Sequence, residues 1–304
     1  MPDRPKPRGV KALLVSRPPV GAFWGWAQVA LARNASKTLI RGTALVLSPH
    51  PDDETVGCGL LLAQMAREGS SVAVALATDG REGWFAVTPR PPADRIVDLR
   101  RGEWHKALGA LNVPKDRRFE LRVADGTLRD HEDEAAEWIA ELLLSLSPSR
   151  IFVTRPLDEH ADHRALFRAA RRAVIETHGH RSDSGAFRSG LSAADGKDSP
   201  PEIYTYRVYP GSGLWPDGRP SKVTLFSALV QFARSVFGLM GRRPLALRAP
   251  RYKSDKDLAI EAYESQRKLL DGELRYVWRT GVELYWKANV FPDSTSAQRE
   301  RSAG

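Results

Sequence analysis

Thr43-Ala44-Leu45-Val46-Leu47-Ser48-Pro49-His50-Pro51-Asp52-Asp53-Glu54 is the stretch whose reading decides the fold. Its first half is a short apolar run of strand length, and its second half sets a histidine and three acids where a buried strand should hand over to a helix. In open α/β sheets, ligand crevices form at such strand ends. His50 and Asp53, three residues apart, can turn both side chains toward one cation. A second apolar run, Ile151-Phe152-Val153-Thr154, is followed by Asp158, His160, Asp162 and His163. Two strands running parallel would bring both clusters to the same sheet edge. A mononuclear metal site built from residues far apart in the chain is therefore expected.

Each cluster also has a plainer reading. Pro51 at a first helical position followed by Asp52, Asp53 and Glu54 is what an ordinary helix start wants, because acids there complement the helix dipole. His50 does not suit that reading, since a cation gains nothing at a helix N-terminus. His160 and His163 alone would be surface histidines. Two independent clusters, each just past a strand and each offering nitrogen and oxygen donors at ligand spacing, favour the metal.

Outward from this stretch, short β-branched runs alternate with amphipathic segments, the pattern of βαβ units. The expected fold class is α/β: a Rossmann-like, mostly parallel sheet flanked by helices, in one elaborated domain. Strands are expected at 43–48, 71–78, 117–123, 150–154 and 202–209. Helices are expected at 54–68, burying Leu60, Leu61 and Met65, and at 94–111, burying Ile96, Leu99, Ala107 and Leu108. Asp130 should cap a third helix carrying Ile139, Leu142, Leu143 and Leu146, and 164–177 a fourth with Leu166, Ala170 and Val174 on one face. The domain should span 41–290, after an N-terminal extension at 1–40 and before a polar tail at 291–304. Within it, the Gly/Ser/Ala/Asp-rich segment 178–201 reads as a long mobile loop beside the site. His178 and His180 at its start read as solvated. Residues 212–250 read as an apolar and basic insertion.

The chain resembles the zinc-dependent N-acetylglucosaminyl deacetylases of the LmbE/PIG-L family. The resemblance rests on Pro49-His50-Pro51-Asp52-Asp53-Glu54 with Gly57 and Gly59, and on His160-Ala161-Asp162-His163-Arg164, similar to the family's His-Pro-Asp-His-Arg. Thr78-Asp79-Gly80, Arg100, Glu103, Asp125-Gly126 with Leu128, and Ser265-Gln266 follow in the family's order. Two departures stand out: Ala161 replaces a proline, and Asp158 stands where a tyrosine precedes the histidine. The resemblance implies one Zn2+ per chain held by His50, Asp53 and His163, with Asp52 as general base. It implies that His160 stabilises the oxyanion or protonates the leaving amine, with Asp162 orienting its ring. Arg100 and Asp125 are expected to bind sugar hydroxyls, and Glu54 to satisfy backbone donors or tune the site. The substrate implied is an acetamido sugar within a larger conjugate. An amidase acting on a thiol conjugate or another amide, and a non-catalytic zinc or sugar binder, are the alternatives.

At 304 residues and net charge +9, the chain suits anionic partners, but its basic residues are dispersed, so no nucleic acid is expected. No run of eighteen apolar residues occurs and no clean signal peptide opens the chain, so a cytoplasmic protein is expected. The lone Cys58 excludes an internal disulfide and reads as a small buried filler. In 223–250, nine large apolar residues from Leu225 to Met240 are followed by Arg242, Arg243 and Arg248, with Arg251 just beyond. That segment is expected to be a core helix or lid, or else a peripheral membrane contact.

Overall fold

The computed structural model describes residues 28–84, 89–158, 160–178, 199–208, 243–270 and 281–290. In chain order these form β1 (Arg33–Asn34), α1 (Ser36–Leu39), β2 (Ala44–Ser48), α2 (Asp53–Arg67), β3 (Val72–Thr78) and α3 (Ala93–Ala110). Next come β4 (Arg118–Val123), α4 (Glu132–Leu146), β5 (Arg150–Thr154) and α5 (Ala161–His178). The remaining elements are β6 (Glu202–Tyr206), β7 (Leu245–Arg248), α6 (Lys253–Glu261), α7 (Arg267–Leu270) and β8 (Val282–Ala288).

The strands make one 8-stranded sheet in the order β1-β7-β8-β6-β5-β2-β3-β4. All neighbours are parallel except β8, which runs antiparallel to both β6 and β7. The first strand of the expected series, β2, is thus the middle of the parallel run β6-β5-β2-β3-β4. The chain winds from it to β3 and β4 on one side, then returns to β5 and β6 on the other. This reversal makes the gap beyond the carboxyl ends of β2 and β5 a topological switch point, where a crevice must open. Both sequence clusters end there.

Every residue of β2 and β3 is buried, which explains their unbroken apolar character: a parallel strand covered on both faces has no solvent side to alternate with. One core cluster lies between the sheet and α2, α3 and α6; the other joins α4 and α5 to the opposite face. The strands and helices expected between 43 and 178 are found with their ends shifted by a few residues. Three details differ. Leu99 is 43% exposed, because α3 turns Ile96, Ala107 and Leu108 inward and leaves Leu99 on its outer flank. Asp130 does not cap α4, because a 3-10 turn, Leu128–His131, intervenes. α5 starts three residues early, so Asp162 and His163 belong to its first turn.

The last part of the expected N-terminal extension joins the sheet, since β1 pairs with β7. The end of the expected insertion is β7 itself. The strand expected to reach Tyr209 ends at Tyr206. Most of the expected loop 178–201, most of 223–250, His180 and the tail 291–304 lie outside the described residues. His178 closes α5 with its Nδ1 2.7 Å from Thr177 Oγ1. Among the described residues no helix is long and apolar enough to cross a membrane.

Gly57 shows how tightly α2 seats on the sheet. A Cβ there would come within 2.2 Å of the ring of Tyr206, which is fully buried and donates to Leu47 O at 2.8 Å. Gly57→Ala gains about 1 kcal/mol of helix propensity, but forces apart a ring with no room to retreat. A net loss of about 1–3 kcal/mol is expected from the overpacking, measurable as a lower urea midpoint at unchanged m-value.

Candidate metal centre

The centre starts from a strained peptide. Asp52 sits just before α2 with φ 129°, a region that non-glycine residues avoid, and its side chain makes no capping bond. The ordinary helix-start reading of this motif therefore fails at Asp52, because the twist turns its carboxylate away from the amides of α2. Strain of this kind persists only where the surroundings over-determine it, and here they do. Thr78 donates to Pro49 O twice, from its N–H at 3.0 Å and its hydroxyl at 2.8 Å. The Ser48 hydroxyl lies 2.8 Å from His50 O and 2.9 Å from Glu54 Oε2. Glu54 accepts from Tyr263 at 2.6 Å and Thr55 at 2.7 Å, so it serves mainly to gather hydroxyls around the loop.

Directed inward by this turn, three donor atoms meet. His50 Nδ1 lies 3.0 Å from Asp53 Oδ2, His163 Nε2 lies 3.1 Å from the same oxygen, and the two nitrogens are 3.3 Å apart. The other nitrogen of each ring faces carboxylates. His50 Nε2 is 3.1 Å from Asp125 Oδ1 and 3.2 Å from Asp162 Oδ2, and His163 Nδ1 is 3.2 Å from Asp158 Oδ1. Histidines backed by carboxylates on the nitrogen turned away from the centre are typical metal ligands, because the outer contact fixes tautomer and ring direction. Asp53 Oδ1 is buried without a hydrogen-bond partner. These residues fit a divalent cation. A second grouping lies on the far side of the His50 ring, where Asp125, His160 and Asp162 converge with it.

The electrostatics agree. Burial disfavours charge on His163, yet the Asp53 carboxylate and then Asp158 hold its pKa up at about 9. Burial likewise opposes charge on His50, but Asp125, Asp162 and Asp53 keep its pKa well above the ordinary value. Burial raises Asp53, and the two imidazoles more than reverse this, leaving it well below the carboxylate range. The buried carboxylates thus hold protons on both imidazoles, and a cation would take the place of those protons. Burial pushes Asp52 up to about 8 against the pull of Arg100. Burial, with the charges on His50 and His163, lowers His160 to about 4.

Several expected residues take other positions. Asp162 was expected to orient His160, but its carboxylate is turned to His50 and held by the N–H groups of Gly126 at 2.7 Å and Leu128 at 3.2 Å. Asp125, expected on a sugar hydroxyl, also backs His50. Arg100, expected to bind sugar, is only 2% exposed. Its guanidinium donates to Pro51 O at 2.5 Å and Gly83 O at 3.3 Å and lies 3.5 Å from Asp52 Oδ2. It supports the motif from behind. His160 stands at the rim, its ring 4.5 Å from that of His50 and edge-on to it. Asp158, 3.2 Å from His163 Nδ1, is a residue of the centre without an expected role. Its place just past β5 and five residues before a candidate ligand, next to the start of α5, was the available signal. The late landmarks brace the same wall: Ser265 donates to Glu103 from its N–H at 2.7 Å and its hydroxyl at 2.6 Å, and Gln266 donates to Gly83 O at 2.6 Å. Cys58 is fully buried in α2, away from the donors.

Comparison with known proteins places these observations. Residues 45–174, from β2 into α5, match the family model described as PIG-L, GlcNAc-PI de-N-acetylase, a span that includes both clusters. The 1D-myo-inositol 2-acetamido-2-deoxy-alpha-D-glucopyranoside deacetylase of Thermomonospora curvata is 29% identical over 167 residues, 44% of this chain and 54% of that one. The chain spans about half the length of most of the curated relatives it matches. The N,N'-diacetylchitobiose deacetylase of Pyrococcus horikoshii shares the fold with a TM-score of 0.54 at 15% identity, over 96% of this chain and 99% of that one. The hydratase GalB of Pseudomonas putida, which acts on 4-carboxy-2-hydroxymuconate, shares it with a TM-score of 0.56 at 17% identity, over 83% and 97%. The architecture thus houses more than one chemistry, and the site must decide between them.

The geometry of Arg100 yields a test. Arg100→Met removes a buried charge that holds both Pro51 O and the Asp52 carboxylate, and breaking such a buried pair costs about 3 kcal/mol or more. Chemical denaturation should show a loss of that order. A residue that touched only substrate would leave the midpoint in place and raise KM.

Proposed function

We propose, from the match of residues 45–174 to the PIG-L family model, that the protein is a metal-dependent hydrolase that removes the N-acetyl group from an N-acetylglucosamine unit of a larger conjugate. The observation that carries the reading is the triangle of His50 Nδ1, Asp53 Oδ2 and His163 Nε2, with edges of 3.0, 3.1 and 3.3 Å. Donors about 2.0–2.2 Å from a tetrahedral ion stand roughly 3.3–3.6 Å from one another, so this triangle needs to open by only a few tenths of an ångström to hold zinc. When bound, zinc supplies Lewis acidity and lowers the pKa of water at its open position toward 7.

The chain's own residues do the rest. Asp52 is adjacent to a ligand but turned away from it by the positive φ, so its carboxylate is free to take a proton from the attacking water. Its raised pKa, about 8, brings it near working pH, where a base can both accept and return a proton. It returns that proton to the amine nitrogen as the C–N bond breaks, leaving acetate and a free amino sugar. His160, with a pKa near 4, is neutral at that pH and donates a hydrogen bond to the developing oxyanion. Asp125, Asp162 and Asp158 fix the two imidazoles.

A second reading rests on the gathering of His160 with His50 and His163. Were His160 a fourth ligand, the site would be closed, as structural zinc sites are, and the protein would bind rather than cleave.

Elemental analysis separates the two. The purified protein should hold one zinc per chain, His163→Ala should lose it, and His160→Ala should keep it; loss of zinc in His160→Ala supports the closed site. Asp52→Asn should retain the metal and lower kcat by roughly 10²–10⁴. Acetate release from a panel of N-acetylglucosaminides tests the reaction. Cleavage of a thiol-conjugate amide with no acetate from any glycoside would replace deacetylation by the amidase activity.

A further inference from the structure

The donor triangle uses one side of the His50 ring. On the other side, His50, Asp125, His160 and Asp162 each bring one donor atom to within 4.8 Å of the others. They come from separate places: the turn after β2, the turn after β4, the residue before α5 and the first turn of α5. Donors coordinated at about 2.0–2.2 Å stand no more than roughly 4.4 Å apart, so a small inward movement seats one ion among them. His50 Nε2 lies 3.1 Å from Asp125 Oδ1 and 3.2 Å from Asp162 Oδ2. A single N–H cannot satisfy two ionised carboxylates whose oxygens each carry two lone pairs. Their other contacts are backbone amides: Gly126 and Leu128 donate to Asp162 at 2.7 and 3.2 Å, and Glu82 donates to Asp125 Oδ2 at 3.2 Å. Among the described residues neither carboxylate forms an ion pair with an arginine or a lysine.

The balance of charge points the same way. Asp53, Asp125, Asp158 and Asp162 all face the two imidazoles, and one divalent ion at the donor triangle offsets only half of their combined charge. Arg100 is the nearby guanidinium, and it lies 3.5 Å from a fifth carboxylate, that of Asp52. Asp162 is fully buried and the Asp125 side chain is 8% exposed, so water screens the surplus poorly. Buried charge left unpaired is costly, and a second cation would offset it. The way in lies on this side, because His160 is half-buried at the rim while Asp53 and His163 are fully buried.

We propose that Asp125, Asp162 and His160 form a second, weaker cation site, and that a divalent ion bound there inhibits the enzyme. Two carboxylates and one imidazole suit a borderline ion such as zinc. The N–H of His50 stays with one carboxylate lone pair, and the ion takes those left over. An ion on His160 occupies the lone pair of its imidazole and fixes the ring, so the hydrogen bond that His160 would give to the developing oxyanion is lost. The binding rests on the cluster alone; the inhibition rests on the deacetylase reading, in which His160 serves that oxyanion.

Equilibrium dialysis of the protein carrying one zinc, against rising free zinc, reads the second ion directly. The wild type should take up a second equivalent, and its release of acetate from an N-acetylglucosaminide should fall in step with that uptake. His160→Ala should keep the first ion and hold the second about a hundredfold more weakly or worse, since loss of a ligand exceeds the roughly 10–100-fold effect of an outer partner. Asp125→Asn, which preserves the shape of the side chain, should likewise keep the first ion and lose the second. A wild type that stops at one zinc overturns the site, and so does a second equivalent that both variants bind unchanged, because that ion lies elsewhere on the surface. Loss of the first ion in His160→Ala favours the closed site and overturns this one. Full turnover with two ions bound overturns the inhibition. If no glycoside is deacetylated at one zinc per chain, the deacetylase reading falls, while the dialysis still decides the second site.

Discussion

Two neighbouring carboxylates, one turned to the His50–His163 pair and the other aside from it, demand an unfavourable backbone conformation between them. Asp52 and Asp53 meet this demand with φ 129° at Asp52, a local cost of the order of 1–3 kcal/mol. Much of the described structure stands in a chain of support for that one peptide. Arg100 holds Pro51 O; Gly83 O holds Arg100; Gln266 holds Gly83 O; and Ser265, next to Gln266, is held by Glu103. A Cβ at Gly80 would come within 2.8 Å of Pro51 and 2.9 Å of Arg100, so the absence of a side chain lets this wall close. Residues late in the chain thus reach the chemistry without touching it.

The middle of α2 is anchored by a second device. Lys256 and Glu283 form a buried pair at 2.6 Å, and Glu283 accepts from the N–H groups of Leu60 at 2.8 Å and Leu61 at 3.0 Å. Lys256 donates to Val56 O at 2.8 Å, and its stem lies where a Cβ on Gly59 would be. A buried pair of this sort is a poor source of net stability, since desolvation opposes the attraction. It does specify position. A helix gripped in its middle by groups from α6 and β8 cannot slide along the sheet, and its first turn carries Asp53.

The region from β2 to α5 was legible because both periodicities there are strong: continuous apolar runs for strands covered on both faces, and inward stripes for helices. The meeting of His50, Asp53 and His163 was legible too, since a histidine and an acid stand just behind each of two strands that run parallel. β7, β8 and α6 were not anticipated. Leu245–Arg248 is short and lies at the end of an apolar stretch that read as one unit, and Val282–Ala288 alternates buried and half-buried residues only because it runs antiparallel, a pairing with no mark in the local sequence. The partners of Asp162 and Arg100 were missed for a related reason. Spacing on a helix says which residues share a face, but what stands opposite that face is set by other parts of the chain. Arg100 reads as a surface arginine until the turn at 80–83 folds over it.

The placement of β8 also bears on the order of assembly during synthesis. Among the described residues β1 pairs only with β7, and β7 otherwise pairs only with β8, so a strand made early waits for ones made much later. The parallel core from β2 to β6 is complete in the nascent chain well before that. His50, Asp53 and His163 all lie within this early portion, while Lys256, Tyr263 and Glu283 emerge later. Vectorial synthesis therefore presents His50, Asp53 and His163 before the elements that hold α2 and Glu54 in place exist, and the helix start keeps its final seat only once the later chain has closed onto it.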